Sequence, residues 1–257
     1  MRILLIRHGD PDYVNDTLTE KGRREAALLA KRAVSMNMGE CYKSPLGRAK
    51  DTAAPCLEVT GKTAEILDWL QGFPAQVDLN KNPELEKAYP DVKKEGGYFL
   101  PRIAWDMVPG YWTEHEAYMD KNTWRETEVA KNSDLVEVYD HVIEEFDRFL
   151  AEHGYVREGA HYRVEKESDE TVTFFCHFGI SCVLLSHLWN VSPFVLWHSL
   201  ALAPTSVTEV VTEEREQGTA YFRGLKVGDI SHLYAGGEEP SFAARFCETY
   251  SNKEQRH

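Results

Sequence analysis

The first apolar block is Ile3-Leu4-Leu5-Ile6, continuous and closed at once by Arg7-His8-Gly9. A short, uninterrupted, partly β-branched run predicts a buried strand that ends in a cation, an imidazole and a glycine. Gly9 gives the backbone freedom to turn there or to approach a ligand closely. Asp10 to Leu18 is polar and predicts a loop. Thr19 then suits a helix cap, and Ala26, Leu29, Ala30, Ala33 and Val34 recur at helical spacing, which predicts a helix to about Met36. Gly39 to Lys43 predicts a second strand, and Ser44-Pro45-Leu46 a helix start with proline in its first turn. That helix carries Arg48, Ala49, Thr52 and Ala53. Strand, helix, strand, helix is the rhythm of a layered α/β fold with parallel strands.

From about Phe73 to Lys131 this rhythm breaks. The stretch holds five prolines, among them Pro74 and Pro109, and aromatics such as Trp105, Trp112, Tyr118 and Trp124. So aromatic a segment predicts an ordered insertion, placed at the strand ends where substrate-selecting loops belong. Ser133 to His153 then shows the clearest amphipathic helix, with Gly154 as its stop. Thr171 to Cys176 predicts a strand ending at His177, followed by a helix from about Ile180 to Trp189. Thr205–Glu213 and Thr219–Val227 have strand composition, with a turn at Gln217-Gly218. This pair is expected to be partly antiparallel, at or near an edge of the sheet.

Composition narrows the function. The 257 residues suffice for a large α/β domain, with 42% hydrophobic and 28% charged residues. A formal net charge of −13 argues against a general nucleic-acid binder, whose grip on phosphate needs basic patches. It leaves room for one small basic pocket. No apolar run approaches the ~20 residues of a membrane span, and the N-terminus lacks a signal-peptide pattern. The five cysteines (Cys41, Cys56, Cys176, Cys182 and Cys247) are scattered without a CxxC, as expected of reduced thiols in a cytoplasmic protein. No carboxylate and histidine spacing of a metal site stands out, so neither metal nor cofactor is expected.

The candidate chemistry lies where predicted strands stop. Two of them end in histidine, His8 and His177, and Arg48 opens the helix after a third. If these strands are neighbours, two histidines and the arginines Arg7 and Arg48 meet at one end of the sheet, where open α/β folds bind ligands. The planar arginine fork suits phosphate. Here the sequence resembles the histidine phosphatase superfamily, the phosphoglycerate mutase-like proteins. The resemblance rests on Arg7-His8-Gly9, on Leu18-Thr19-Glu20-Lys21-Gly22, on Ser44-Pro45-Leu46-Gly47-Arg48-Ala49-Lys50-Asp51-Thr52-Ala53, and on His177 after the late strand. Glu25 stands where glutamine is usual in that family.

The resemblance implies a three-layer α/β/α sandwich with a mostly parallel central sheet. It would be one domain over residues 1–257, carrying the insertion at about 73–131 over the active site. It further implies that His8 attacks phosphorus, that Arg7, Arg48 and His177 hold the phosphoryl oxygens, and that water hydrolyses the resulting phosphohistidine. Asn15 either donates a further hydrogen bond to the substrate or satisfies its own turn. The family's usual glutamate acid has no clear counterpart. Glu65 and Asp68 lie near the expected register, while Asp106 in the insertion stands among apolar neighbours, where desolvation would favour its protonated form. The implied activity is metal-independent hydrolysis of a small phosphate ester. The alternatives are a mutase, which returns the phosphoryl group to bound substrate, and a non-catalytic phospho-ligand-binding relative.

Overall fold

The structure is a computed structural model that describes residues 1–89, 92–243 and 249–252. Cys247 lies outside the described residues. The chain falls into two compact units, Met1–Gly72 with Phe149–Ser181 and Ala201–His257, and Phe73–Arg148 with Cys182–Leu200.

The first unit is built on an eight-stranded sheet. In chain order its strands are β1 (Arg2–Arg7), β2 (Glu40–Lys43), β3 (Ala64–Ile66), β4 (Tyr155–Glu158), β5 (His161–Val164), β6 (Thr171–Cys176), β7 (Val207–Glu216) and β8 (Thr219–Asp229). Their spatial order is β4-β5-β8-β7-β1-β6-β2-β3. From β1 through β6 and β2 to β3 the pairing is parallel, and from β1 out to β4 it is antiparallel. The β7–β8 pair is antiparallel as expected, but it lies inside the sheet. The added β4–β5 hairpin covers it, and four-residue strands such as Tyr155-Val156-Arg157-Glu158 are too short and charged to announce themselves as strands.

Strand alternation assigns the two faces. Leu4, Ile6, Cys41, Phe175 and Val207 point to one side, where they pack with Leu29, Ala30 and Ala33 of α1 (Glu20–Ala33) and with Ala53 and Cys56 of α2 (Gly47–Thr60). On the other side Tyr42 and Phe174 meet Phe149 of α3 (Leu135–Glu152), with ring centroids 4.9 and 5.1 Å away. Helices on both faces of the sheet make the three-layer α/β/α sandwich. Thr19 caps α1 as expected by accepting the Gly22 N–H, an interaction worth about 1 kcal/mol. The proline expected in the first turn of α2 instead precedes it. Pro45 stands before the cap residue Leu46, and no side chain of the helix's own cap satisfies its first turn.

The second unit consists of short elements around packed rings. Trp124 contacts Tyr139 at 5.0 Å, Tyr118 contacts Phe194 at 5.0 Å, and Phe73 contacts Trp197 at 5.3 Å between centroids. Trp124, Tyr118 and Phe194 are buried. Its chain includes α4 (Phe178–Trp189) from Cys182 onward and α5 (Pro193–Ser199). Among the described residues no helix is long and apolar enough to cross a membrane.

Candidate active site

The register of β1 on β6 builds the centre of the site. Arg7 pairs with Cys176, and the His8 N–H donates to the Cys176 carbonyl at 3.0 Å. The residue following each strand therefore sits beside its counterpart, and the His8 and His177 rings lie 5.0 Å apart. Strand β2 adds the third component. Lys43 pairs with Phe175, so Ser44 comes level with the end of β6, and its Oγ lies 2.8 Å from His177 Nε2.

The tautomers follow from hydrogen bonding. His8 Nδ1 is 2.7 Å from the Gly9 carbonyl, which can only accept, so Nδ1 carries the proton and Nε2 the lone pair. Ser44 Oγ accepts the Leu46 N–H at 3.2 Å, and among the described residues the one acceptor within reach of its own proton is His177 Nε2, which places the ring proton of His177 on Nδ1. Burial, Arg7, the other imidazole and Arg48 together hold His8 well below the usual histidine range, although the Gly9 carbonyl opposes them. Burial, then Arg48 and Arg7, push His177 down to about 3. Both rings are neutral at pH 7.

Each arginine is anchored through one nitrogen. Arg7 is buried and donates from Nη1 to the carbonyls of Leu202 (2.5 Å) and Ala243 (3.1 Å). Burial lowers it to about 10, so it stays charged. Arg48 donates from Nη1 to Asp16 Oδ1 at 2.6 Å. The other oxygen of Asp16 accepts the Gly47 N–H at 2.6 Å, so Asp16 supplies the cap that α2 lacks. This needs glycine at position 47, where a Cβ would stand 2.0 Å from the Asp16 carbonyl. Arg7 Nε, Arg48 Nε and His177 Nδ1 are buried donors with no hydrogen-bond partner among the described residues. Arg48 Nη2 and His177 Nδ1 both border Gly72, at 3.4 and 3.8 Å from where its Cβ would be. Unsatisfied buried donors are costly, and three converging at the end of a sheet fit an anion.

The loop after His8 is fixed from behind. Gly9 makes its close approach to α1 rather than to a ligand, since a Cβ there would stand 2.8 Å from the Gly22 carbonyl. Its N–H donates to Thr52 Oγ1 at 2.9 Å. Glu25 is buried and accepts the N–H of Asp10 (2.8 Å) and of Ser241 (3.2 Å), and burial raises its carboxyl to about 6. The predicted loop itself contains a small hairpin, Pro11–Asp12 against Thr17–Leu18.

Arg7, His8, Arg48 and His177 thus come together. Asn15 lies in the hairpin turn, and its amide donates to Asp12 Oδ2 at 2.8 Å. Asp106 belongs to the second unit, where its carboxylate pairs with Arg102 at 2.5 Å, so a cation stands where apolar neighbours were expected. Sequence reasoning missed Asp16 and Gly72. The turn sequence Tyr-Val-Asn-Asp marks a turn without revealing which side chains point inward, and nothing singles out Gly72. Among the described residues no group of three His, Cys, Asp or Glu is placed to hold a metal ion.

Comparison with known proteins agrees with this geometry. Residues 3–94 match the model of the histidine phosphatase superfamily (branch 1). A Schizosaccharomyces pombe protein named as a probable phosphatase is 24% identical over 247 residues, covering 91% of this chain and 95% of its own. The solved structure of a phosphoserine phosphatase mutant from Entamoeba histolytica, in complex with phosphoserine, matches with a TM-score of 0.55 at 15% identity, over 90% of this chain and 98% of that one. Mycobacterial glucosyl-3-phosphoglycerate phosphatase with bound VO3 matches with a TM-score of 0.52 at 16% identity, over 88% and 98%. At such identities the structural matches speak for the fold, while the family model covers the strand that ends in His8 and the helix that carries Arg48. The match to the histidine phosphatase superfamily thus spans residues 3–94, just over a third of the chain.

Proposed function

We propose that the protein is a metal-independent phosphatase that hydrolyses a small phosphate ester through a phosphohistidine on His8. The observation that carries this reading is a neutral imidazole with its Nε2 lone pair available, set among guanidinium and imidazole groups whose buried Arg7 Nε, Arg48 Nε and His177 Nδ1 donors have no partner among the described residues. His8 Nε2 forms a bond to phosphorus as the ester P–O bond breaks, and the leaving oxygen takes up a proton. Water then attacks phosphorus, the P–N bond breaks, and inorganic phosphate is released. Arg7 Nε, Arg48 Nε and His177 Nδ1–H stabilise charge on the non-bridging oxygens, so positioning and electrostatics do the catalytic work. For the leaving-group proton the proposal takes Asp106, a carboxylic acid whose side chain is 14% exposed. Having given up that proton, the same carboxylate would accept the proton of the attacking water.

The phosphoserine and the VO3 bound to the two solved relatives support a small phosphorylated metabolite as substrate. The net charge of −13 supports a small ligand over nucleic acid. Four free, buried cysteines (Cys41, Cys56, Cys176 and Cys182) support a reducing, cytoplasmic setting. The test is to quench turnover rapidly with a phosphate ester labelled on phosphorus. Label stable to base and labile to acid should appear on the wild type and be absent from His8→Ala, with turnover undiminished by chelator. Full activity in His8→Ala, or activity abolished by chelation, would refute the reading. Return of label to the substrate pool, without release of inorganic phosphate, would identify a mutase.

A further inference from the structure

The chain enters β7 through a strained turn that lies against Arg7 and His8. Thr205 has a φ of 57°, in the left-handed region that a β-branched residue occupies only at a cost. It is fully buried, and its N–H is shared between the carbonyls of Arg7 (3.1 Å) and His8 (3.2 Å). Its neighbours in the chain also hold Arg7. The Ser206 carbonyl accepts the Arg7 N–H at 3.1 Å, and the Leu202 carbonyl accepts from the Arg7 guanidinium. The left-handed turn at Thr205 thus lets three backbone groups of one short segment grip the residues assigned to the phosphoryl group.

A strained residue persists only where its surroundings fix it. The fixing group here is His232, buried on α6 (Ser231–Gly236). Thr205 Oγ1 donates to the Pro204 carbonyl at 2.7 Å, so at 2.9 Å it accepts from His232 Nε2, which carries the ring proton. The other ring nitrogen agrees, since Arg32 Nη1 lies 3.5 Å from Nδ1 and a guanidinium only donates. Burial and then Arg32 push the ring down to about 4, against the pull of Asp229, so it is neutral at pH 7. Asp229 Oδ2 holds Arg32 at 2.6 Å, and its Oδ1 accepts the Ser231 N–H at 2.9 Å where α6 begins. Gly236 seats α6 on α1, because a Cβ there would collide with the Leu28 side chain.

We propose that His232 is a positioning residue that locks Thr205 in its left-handed turn and so holds the Arg7 and His8 backbone in place for the phosphoryl group. It acts through Thr205 and does not touch substrate. The role deepens the phosphatase reading and rests on it. The opposing role is a histidine that stabilises the fold alone, with no consequence at the site once the protein is folded.

The experiment compares wild type with His232→Leu, His232→Gln, Thr205→Val and Thr205→Gly, each held well below its own melting temperature. It measures inorganic phosphate binding by calorimetry, and kcat/KM for para-nitrophenyl phosphate. His232→Leu keeps bulk but removes the donor, and should weaken phosphate binding and lower kcat/KM about tenfold. His232→Gln returns an N–H close to the place of Nε2 and should recover most of the loss. Thr205→Val keeps the shape and the strain but deletes the hydroxyl that is held, whereas glycine adopts the left-handed turn freely. Thr205→Gly should therefore be the more active of the two, the reverse of the order that packing alone would give. A folded His232→Leu protein with both quantities within about twofold of wild type would overturn the proposal, however far its melting temperature fell. Thr205→Val as active as Thr205→Gly would also overturn it, and this pair decides the matter if His232→Leu does not fold. Phosphate bound by the wild type and weakened in His232→Leu and Thr205→Val, without turnover of any ester, would support His232 while refuting the hydrolase reading. A wild type that neither binds phosphate nor hydrolyses esters would refute both.

Discussion

Ser44→Ala deletes a single buried oxygen, and that oxygen sets which nitrogen of His177 carries the proton. With Ser44 present, its hydroxyl proton goes to Nε2, so the ring proton sits on Nδ1, the buried atom with no partner among the described residues. Without it, the ring either keeps its proton on Nδ1 and leaves Nε2 as a buried acceptor without a donor, or moves the proton to Nε2. The first outcome costs about 1–3 kcal/mol of stability, the usual penalty for an unmatched buried group. The second removes the donor from Nδ1 and puts a lone pair there, which forfeits a hydrogen bond to a charged oxygen worth about 1.5–3 kcal/mol in the transition state. At 1.36 kcal/mol per factor of ten, the second outcome is a fall of about 10- to 150-fold in kcat/KM. Urea unfolding reads the first loss and kinetics on para-nitrophenyl phosphate the second. Because the ring is neutral at pH 7, with its pKa near 3, the kinetic loss should be the same from pH 6 to 8. A folded Ser44→Ala protein with unchanged stability and kcat/KM within about twofold of wild type would refute the tautomer assignment and with it the donor role of Nδ1.

Stability should fall steeply with acid. His8, His177 (about 3) and His232 (about 4) all lie below the unfolded histidine value, so the stability they confer is complete above about pH 6.5 and lost as pH falls toward their folded values. Glu25, raised to about 6, has the opposite sign, because its burial penalty is present above that pH and fades below about 4.5. Three imidazoles less one carboxyl leave an excess of about two protons on the unfolded chain near pH 5, or about 2.7 kcal/mol per pH unit. Urea midpoints measured from pH 7.5 to 5 test this, and a flat profile would contradict it. Gly47→Ala should destabilise the fold by about 1–3 kcal/mol and weaken phosphate binding, since its Cβ would displace the Asp16 turn. Gly110→Ala, whose added Cβ would meet no other segment of the described residues within 4 Å, is the matched control for stability. Asp106→Asn, if Asp106 is the proton donor, should slow alkyl phosphates by about 10²–10⁴-fold and barely affect para-nitrophenyl phosphate, and a ratio of the two losses near one would exclude it.

The local order of this chain is legible in its residues because the forces behind it are local. Ile3–Ile6 and Thr171–Cys176 are continuous apolar runs, and a strand buried on both faces has few other ways to read. Thr19 caps α1 with its own side chain, and the apolar stripe of α1 repeats every three to four residues. Arg7, His8, Arg48 and His177 were legible for a further reason: each sits within a few residues of a strand end, and parallel neighbours bring such ends together. The short β4–β5 hairpin was not legible. It joins the sheet through β5, whose partner β8 lies more than fifty residues away, and not through a pattern of its own.

Tertiary structure alone decided the finer chemistry. The Arg7–Cys176 register places the two imidazoles side by side, and a register is a property of two strands rather than of either sequence. Asp16 belongs to an ordinary polar turn until the approach of Gly47 to the Asp16 carbonyl brings that turn against α2. Asp106 stands between a tryptophan and a methionine in the chain, yet the fold returns Arg102 to it across one turn. Hydrogen-bond partners, ion pairs and the burial that shifts titration depend on distances of a few ångströms between segments remote in sequence. The chain therefore declares which groups are available for catalysis, and only the packing of strand ends against the hairpin turn sets their protons and charges.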